Sequence, residues 1–543
     1  MDRSIVRLVV SAVCMFAGTG VADAQFGRGG AEWMTNGGDA QRSHWIPADP
    51  KISVRELQRS GFQFLWKLRL NNEAAQLNSL TPAVLMDRYI GYRGFRSLAF
   101  LGGSSNTVYA IDTDLSRVEW QRRLPLPSTG SLTCPGGLTT NVARATSAGY
   151  PPPGAVGGGL GGRSGAALSD VGEPGQGAVT IAPAMAAAAA AAASPGGGRG
   201  PGLRLPSLVY AVAGDGMLRS MYISNGTEPE PPIQFLPPDA NARGLIVLDD
   251  IAYAATQNCN GAFSGIWALN LTSKQVSKWQ PSNGAIAGSV GPAFGPDGTV
   301  YAATSTGELV ALDPKALAVK DTYATGGAGF TSSPVVFPYK GKTLLAAATK
   351  EGRIHLLDTA SLGGAGHQTP LFKTPAYSDT PDFTLSGLAS WQDVDGVRWL
   401  LASGSGAPAR GSGFSSTDGP VTNGAIAAWR VVDQNGAISL LPGWLSRDMI
   451  SPLPPMIING VIFAVSSGEF RSEDDKLSAV ERVQRSSPAV LYALDGATGK
   501  VLWDSGKTIT SFVHSGGLSG GAGQLYLQTY DQTLYAFGFP IEH

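Results

Sequence analysis

Two strand-like fragments at opposite ends of the chain each lack the neighbours that a β-sheet needs. Residues 523–530 and 533–537 alternate apolar and polar side chains as inner strands do, but no outer strand follows them before His543. Residues 62–70 look like an outer strand with no inner strands before it. An unpaired strand edge is a liability, so one sheet built from both ends would satisfy both fragments. We therefore predict that the strand at about 62–70 pairs with the C-terminal strands and closes a ring.

The composition favours short strands and tight turns. The 543 residues include 72 Gly and 36 Pro, only 15% are charged, and long stretches of helix-period apolar spacing are absent. With 43% hydrophobic residues the chain can still bury a large core. We expect an all-β protein.

A recurring pattern marks the end of the third strand in each candidate unit. The segments 108–112 and 491–495 share it as an apolar residue followed by Tyr, Ala, an apolar residue and Asp. The short spacings between such markers match the roughly 40–50-residue period of four-stranded propeller blades. The markers predict an eight-bladed β-propeller, a ring of sheets with short, protected edges. They are Asp112, Tyr222, Asn270, Asp313, Asp358, Arg430, Asp495 and Gly538.

The three long spacings each contain an apparent insertion, as expected for variable loops on a fixed framework. The segment at about 144–205 is rich in Gly, Pro and Ala, and is predicted to be disordered because it has little apolar variety to pack. Its alanine run at 186–193 could instead form a short helix. The other insertions lie at about 404–423 and 467–487. The charges of the last one, Glu469 and Arg471 among them, are interpreted as a solvated surface run.

The N-terminus has the features of a secretory signal peptide. Arg3 and Arg7 precede an apolar run at residues 8–16, and residues 22–24 form a small-x-small cleavage site. The apolar run is too short to span a bilayer as a mature anchor. We expect residues 1–24 to be removed near Ala24, which leaves a single domain at 25–543 in the periplasm or the extracellular medium, with no membrane span.

Charge and cysteine content narrow the function classes. A net charge of -1 without a dense Lys/Arg cluster argues against nucleic acid as a partner. Five scattered histidines match no metal-ligand spacing, so no metal site is predicted. Cys134 and Cys259 remain after the leader is removed; an oxidising compartment permits a disulfide between them, and two free buried thiols are the equal alternative.

The repeat units resemble those of pyrroloquinoline quinone (PQQ) propeller proteins. The clearest unit is residues 491–503, LYALDGATGKVLW, and the entry segment at 32–39, EWMTNGGD, followed by Arg42, looks like the N-terminus of the large eight-bladed quinoprotein dehydrogenases. The similarity covers nearly all of the mature chain apart from the insertions. It implies one PQQ-like propeller domain. The same repeats also build non-catalytic propellers such as the outer-membrane assembly lipoprotein, so the resemblance alone does not set the function.

The resemblance also implies where a cofactor would lie. In the dehydrogenases the quinone lies in a funnel beside a divalent cation, with an aspartate base and a Lys or Arg near the quinone oxygens. Residues 349–358 are similar to the segment that supplies this cationic residue, which makes Lys350 the implied PQQ contact; its alternative is an exposed turn lysine. Where the enzymes carry the catalytic aspartate, this chain has the tight turn 304–308. Neither that aspartate nor the metal ligands can be identified.

Propeller topology predicts which loops share a face. Loops between blades and loops between second and third strands lie on the same side, conventionally the top, which also brings Cys134 and Cys259 together. Polar side chains at the end of a central channel are the default ligand-site hypothesis. The alternatives are local: His514 could bond only to a neighbouring blade, and Arg447 with Asp448 could form a surface ion pair. The top-face candidates are Asn258, Asn260, Lys350, Glu351, Arg447, Asp448 and His514.

Two functions are compatible with these observations. The first is an exported, monomeric binding or scaffold protein for an unknown protein or small-molecule ligand, because the repeats are intact while a base and metal ligands are missing. The second is a dehydrogenase that uses PQQ with Ca²⁺ to oxidise an alcohol or sugar. Hydrolysis of a polysaccharide or peptide has no signature of its own in the sequence.

Overall fold

The computed structural model describes most of the chain beyond the predicted leader. The predicted signal peptide, Asn260 and nearly all of the 144–205 segment lie outside the described residues. Within those residues no helix is long and apolar enough to cross a membrane. The described ranges are 32–91, 94–125, 130–150, 208–259, 262–378, 385–416, 418–471, 477–514 and 516–540.

The fold is nearly all-β, with 46% of residues in strands and 3% in helices, and the described strands form seven sheets. The first two strands, β1 (Trp45–Ile46) and β2 (Gln63–Arg69), join sheets that form much later in the sequence. The short helix α1 (Val54–Gln58) lies between them. It begins after Ser53, whose hydroxyl accepts a hydrogen bond from the amide of Glu56 and satisfies a donor at the start of the helix.

Sheet 1 shows the layout that the other sheets repeat. All six residues of its third strand are buried, whereas the outer strand exposes most of its residues. Inner strands are apolar because sheets cover both of their faces, and the outer edge meets solvent. The strands are β3 (Val84–Gly91), β4 (Gly94–Gly103), β5 (Thr107–Asp112) and β6 (Arg117–Arg123).

Sheet 2 has eight strands and consists of two four-stranded antiparallel units. The units meet where β7 and β11 pair in parallel at Ala145 and Val247. Residues 144–146 of the predicted insertion therefore belong to a strand. The first unit is β7 (Ala143–Thr146), β8 (Leu208–Val212), β9 (Met217–Tyr222) and β10 (Ile233–Gln234), and the second is β11 (Asn241–Leu248), β12 (Ile251–Gln257), β13 (Gly265–Asn270) and β14 (Val276–Trp279).

Sheets 3 and 4 have four antiparallel strands each. Sheet 3 contains β15 (Ala293–Phe294), β16 (Val300–Ala303), β17 (Glu308–Leu312) and β18 (Val319–Ala324). Sheet 4 contains β19 (Val335–Tyr339), β20 (Lys342–Ala348), β21 (Ile354–Asp358) and β22 (Phe372–Lys373).

Sheets 5 and 6 contain the described parts of the other two insertions. In sheet 5 the two-residue β25 pairs in parallel with β27 at the outer edge. In sheet 6 the insertion between β29 and β30 forms α2 (Ala479–Arg485), which a capping box of Ser478 and Glu481 starts. Sheet 5 is β23 (Leu385–Gln392), β24 (Arg398–Ser405), β25 (Ser415–Ser416), β26 (Gly424–Gln434) and β27 (Ala437–Leu445), and sheet 6 is β1 with β28 (Met456–Ile458), β29 (Val461–Ser466), β30 (Val490–Asp495) and β31 (Val501–Asp504).

Sheet 7 joins the two ends of the chain. Its strands β32 (Leu518–Gly521), β33 (Gln524–Gln528) and β34 (Thr533–Gly538) are consecutive, and β2 supplies the fourth. The pairing of β2 with β34 is antiparallel, with Leu68 opposite Leu534 and Trp66 opposite Ala536. The two fragments that lack partners in sequence therefore complete one another, as the strand-edge argument predicts.

The sequence markers fall at or beside the ends of third strands. Asp112, Asp358 and Asp495 are the last residues of β5, β21 and β30. Asp313 directly follows β17, and Arg430 lies inside β26, which continues to Gln434. The markers other than Arg430 therefore locate the ends of third strands.

Tryptophans on outer strands form hydrogen bonds to the neighbouring four-stranded unit. Trp120 donates its indole N–H to the carbonyl of Ile223 at 2.8 Å, and Trp444 donates to that of Gly496 at 3.0 Å. A Cβ on Gly226 or Gly499 would come within 2.6 Å or 2.4 Å of these rings, and both glycines have positive φ. Glycine is needed there for close approach as well as for backbone geometry.

Candidate functional site

A cavity of about 380 Å³, here called the mouth cavity, opens where the loops leading into the innermost strands converge. Because these loops come from most of the sheets, the cavity is built by the whole arrangement and not by one unit. Residues at or just before the inner strands line it, among them Pro82, Asn141, Asn241, Ser289, Thr331, Pro454 and Gly516.

An axial segment, residues 33–46, runs past the innermost strands and contributes Asn36 to the cavity wall. Its carbonyls accept hydrogen bonds from strand after strand in sequence order, which makes it a common attachment for the sheets. The carbonyls of Trp33, Met34, Ala40, Gln41, Ser43 and His44 accept from the amides of Leu85, Arg144, Phe294, Val336, Ser390 and Ile457, respectively.

Arg42 anchors the axial segment from a fully buried position. Its guanidinium donates to the carbonyls of Pro292 and Gly244 at 2.9 Å and to that of Asn36 at 2.6 Å. Burial lowers the pKa of Arg42 to about 9, and the charge of Asp39 opposes this shift. The guanidinium stays charged at neutral pH and satisfies oxygens that would otherwise be buried without donors.

Three side chains on the cavity wall are cationic or can become so: Arg243, Arg471 and His514. Arg243 lies in β11, and its one hydrogen bond within the described chain goes to the carbonyl of Gly288 at 3.3 Å. Burial alone lowers the pKa of this arginine. No described carboxylate forms an ion pair with Arg243, so its charge is unmatched within the described chain.

Glu469 is fully buried beside the cavity and holds the side chains of Arg471 and His514 in place. Its Oε1 accepts from Nδ1 of His514 at 2.7 Å, and its Oε2 accepts from Nε of Arg471 at 3.1 Å. Nη1 of Arg482 lies 3.5 Å from Oε1. Burial raises the pKa of Glu469, but the hydrogen bond and charge of His514, together with those of Arg471, outweigh it and bring the pKa to about 2.

Comparison with known proteins places this fold. No protein-family model matches the chain, and no curated protein matches it. A quinohemoprotein alcohol dehydrogenase from Comamonas testosteroni is similar in structure, with a TM-score of 0.53 at 13% identity over 94% of this chain and 81% of that one. The chain has the fold of the PQQ-repeat β-propeller proteins.

Two further solved structures agree with this assignment. A quinohemoprotein alcohol dehydrogenase from Pseudomonas putida HK5 gives a TM-score of 0.52 at 10% identity, over 94% of this chain and 82% of that one. A europium-containing methanol dehydrogenase gives 0.50 at 10% identity, over 94% and 98%. At such low identity the likeness establishes the PQQ-repeat propeller fold and nothing finer.

The described residues that line the cavity do not provide the donor set of a hard cation. Calcium prefers several carboxylate and carbonyl oxygens, but no Asp or Glu is found among the described residues that line the cavity. A search of the described residues finds no group of three His, Cys, Asp or Glu that could hold a metal ion. The only aromatic ring on the described wall is the imidazole of His514, so a flat floor for a quinone is missing as well.

Of the described top-face candidates of the propeller, only His514 lines the mouth cavity. Lys350 is exposed and uses its backbone amide to bond the carbonyl of Gly329. Glu351 is exposed and forms an ion pair of 3.5 Å with Arg353. The sequence correctly assigned these two residues to a turn between second and third strands, but that turn is not part of the cavity wall.

The remaining candidates make local contacts. Oδ1 of Asn258 accepts from the amide of Ser264 at 2.7 Å, which shapes its own turn. Arg447 stacks over Tyr492 at 4.7 Å from the ring centre, so it does not pair with Asp448 as the surface-pair alternative assumed. Asp448 instead accepts from the amides of Thr422 and Asn423. Asn260 lies outside the described residues.

Cys134 and Cys259 form a disulfide, with their Cα atoms 5.5 Å apart. The bridge ties the loop before β7 to the loop after β12. Leu132 and Pro135 on either side of Cys134 line the mouth cavity, and the Asn241 side chain donates to the carbonyl of Thr133 at 2.8 Å. The disulfide therefore fixes part of the cavity wall.

The interpretation of this charged run as solvated was wrong for Glu469, whereas Arg471 is exposed as expected. The Glu469 side chain has no exposure, and Arg471 lines the cavity. The first residues of the connection after β29 lie beside the mouth cavity, where the Ser451 hydroxyl donates to the Glu469 carbonyl at 2.9 Å. Arg243 was missed because a single arginine in a strand carries no local signal. The only indication for Glu469 was its place in a long insertion, which joins β29 to β30 within sheet 6.

Proposed function

We propose that this protein is an exported, eight-bladed, ring-closed β-propeller that acts as a binding or scaffold protein and takes its ligand at the mouth cavity. Counting the two units of sheet 2 as separate blades gives the eight that the repeat predicts. The pairing of β2 with β34 supports closure of the ring. Export, cleavage near Ala24 and a monomeric state complete the proposal and rest on the sequence.

One observation carries the binding role. The described cavity wall is polar and cationic, and the carboxylate beside it, Glu469, already contacts Arg471, Arg482 and His514. A general base works best with a pKa near the operating pH. Glu469, with a pKa of about 2 and with Arg471, Arg482 and His514 around its carboxylate, is a poor base at neutral pH. The arginines of the site can hold and orient a ligand, but the described cavity wall has no carboxylate to act as the base that removes a proton from an alcohol.

The alternative is a PQQ-dependent dehydrogenase that oxidises an alcohol or sugar. Its support is the fold shared with solved alcohol and methanol dehydrogenases. In this reading Arg243 and Arg471 would be the residues to contact a quinone, because Lys350 does not reach the cavity wall. The lining residues would still lack the carboxylates that a divalent cation requires.

Titration of the purified exported protein with PQQ, with and without Ca²⁺, separates the two functions. The binding proposal expects no cofactor absorbance after desalting, no calcium-dependent rise in melting temperature and no dye-linked oxidation of an alcohol and aldose panel. Tight calcium-dependent uptake of PQQ together with dye-linked turnover would overturn it. The sequence of the N-terminus of the exported protein tests cleavage near Ala24, and its elution volume in size-exclusion chromatography tests the monomer.

A further inference from the structure

We propose that the mouth cavity binds a small organic anion, whose carboxylate or phosphate group is held between Arg243 and Arg471. This inference rests on the proposed binding function and adds the chemical class of the ligand. A volume of about 380 Å³ lies within the range of small-molecule sites, so the site suits a compact ligand more than a folded partner.

Arg243 is the first observation. A partly buried guanidinium normally has a carboxylate beside it, because removing an unpaired charge from water is costly. Arg243 has only the carbonyl of Gly288 within the described chain, at 3.3 Å, and most of its donors are unused. Within the described chain it has no ion-pair partner to offset the cost of burying its charge, whereas an anion in the cavity would supply one.

The Glu469 cluster is the second, independent observation. Among the described residues, Arg471 and Arg482 share the single carboxylate of Glu469, so their two positive charges face one negative charge. Glu469 is fully buried, whereas Arg471 is partly exposed on the cavity wall. Glu469 therefore acts as a positioning residue that holds Arg471 in place through its Nε. The outer nitrogens of the guanidinium have no described protein acceptor and are available to a ligand.

The neutral polar side chains of the wall favour an anion over an uncharged sugar. Neutral sugars need donors as well as acceptors, but the amide donors of Asn78, Asn141 and Asn241 are already directed at backbone carbonyls. The hydroxyl of Thr331 donates to the carbonyl of Leu385. The arginines are thus the main unused donors, and charge-assisted hydrogen bonds from arginine select carboxylate and phosphate.

A matched ligand set tests the charge requirement. Isothermal titration of the full exported protein with glucose, gluconate and glucose 6-phosphate compares a neutral sugar with its carboxylate and phosphate counterparts, and citrate and inorganic phosphate serve as anions without a sugar ring. We expect at least one anion to bind at least tenfold more tightly than glucose. Gluconate against glucose 6-phosphate then distinguishes carboxylate from phosphate.

Matched variants test the residues. Arg243→Gln should weaken binding of the preferred anion by about tenfold or more, since a charge-assisted hydrogen bond contributes about 1.5–3 kcal/mol. Lys350→Gln removes an exposed charge on the same face outside the cavity wall and should leave affinity within about twofold. Arg471→Gln should also weaken binding. The unliganded Arg243→Gln protein should melt no lower than wild type, which separates loss of binding from loss of folding.

Equal binding of glucose and the anions, failure of all the anions at millimolar concentration, or unchanged affinity in folded Arg243→Gln would overturn the inference. These results would reject the anionic ligand but not the binding function. The binding function is rejected only by calcium-dependent PQQ uptake together with dye-linked turnover. Conversely, calcium-dependent turnover would overturn the binding function, whatever the response to gluconate.

Discussion

Nδ1 of His514 lies 2.7 Å from Oε1 of the fully buried Glu469. Glu469 comes from the connection between β29 and β30 within sheet 6, His514 comes from the loop between sheets 6 and 7, and they meet beside the mouth cavity. This contact joins the insertion after β29 to the loop before β32, and it fixes the position of Arg471 through the other carboxylate oxygen. A buried carboxylate with several cationic partners strongly affects stability, because removal of either sign leaves the other unpaired.

Replacing Glu469 should give a pH-dependent loss of stability. Glu469→Gln leaves two arginines without their counter-ion, and we expect a loss of about 3 kcal/mol in the free energy of unfolding at pH 7. The pKa of the carboxyl is about 2 in the folded protein against 4.5 for the free side chain. The carboxylate therefore stabilises the folded state fully above pH 4.5, and this contribution falls as the pH approaches 2.

Urea unfolding at a series of pH values from 7 downward measures this effect. The difference between wild type and Glu469→Gln should be constant near neutrality and shrink below pH 4.5. Glu351→Gln is the control, because Glu351 is exposed and should change the free energy of unfolding by less than about 0.5 kcal/mol. A difference that grows as the pH falls would contradict the assigned role of Glu469.

Arg42 should be essential for stability even though its side chain does not line the mouth cavity. Arg42→Ala would leave the carbonyls of Pro292 and Gly244 without donors in a buried site, and we expect a loss of at least about 3 kcal/mol. Arg42→Lys should recover only part of this loss, because one ammonium cannot reproduce the planar fork. Urea unfolding beside the exposed control Arg55→Ala checks it, and a loss no larger than that of the control would count against the axial segment as an attachment for the sheets.

The disulfide should stabilise the fold and the cavity together. It closes a separation of 125 residues, and the chain-entropy model gives roughly 4–5 kcal/mol for a loop of this length. We expect the double variant Cys134→Ser/Cys259→Ser to unfold at a lower urea concentration, as should wild type in reductant. Wild type and variant should coincide once reductant is present. An unchanged midpoint in the double variant would show that the bridge contributes nothing.

The fold was largely predictable because the deciding signals are local or arise from unmatched edges. The alternation in residues 62–70 and 533–537 identified two incomplete sheet fragments, and completing them required no knowledge of distant contacts. The markers at Asp112, Asp358 and Asp495 identified strand ends because a strand of this kind must finish in a polar turn. Both inferences need only the alternation of apolar and polar residues within a strand and the spacing of the markers along the chain.

The site was much less predictable, because membership of the cavity wall depends on how far each side chain lies from the centre of the propeller. Topology assigns Lys350 and His514 to one face but does not say which of them reaches the cavity. The charges of the insertion after β29 look alike in sequence whether they face water or fold inward. Glu469 is distinguished only by long-range contacts with His514 and Ser451, and neither partner can be identified from spacing along the chain.

Phe62 provides the sharpest test of ring closure. It is buried just before β2, and its ring packs on those of Phe463 and Trp503 in sheet 6 and of Phe539 after β34, with centroids 4.9–5.6 Å apart. Phe62→Ala should therefore cost about 3–5 kcal/mol in the free energy of unfolding, whereas exposed Val394→Ala should cost little. If β2 closes the ring, hydrogen exchange should accelerate first in β32–β34 and less in sheet 3. Equal acceleration in all sheets, or a loss near that of the control, would mean that the last blade does not depend on the N-terminal strand.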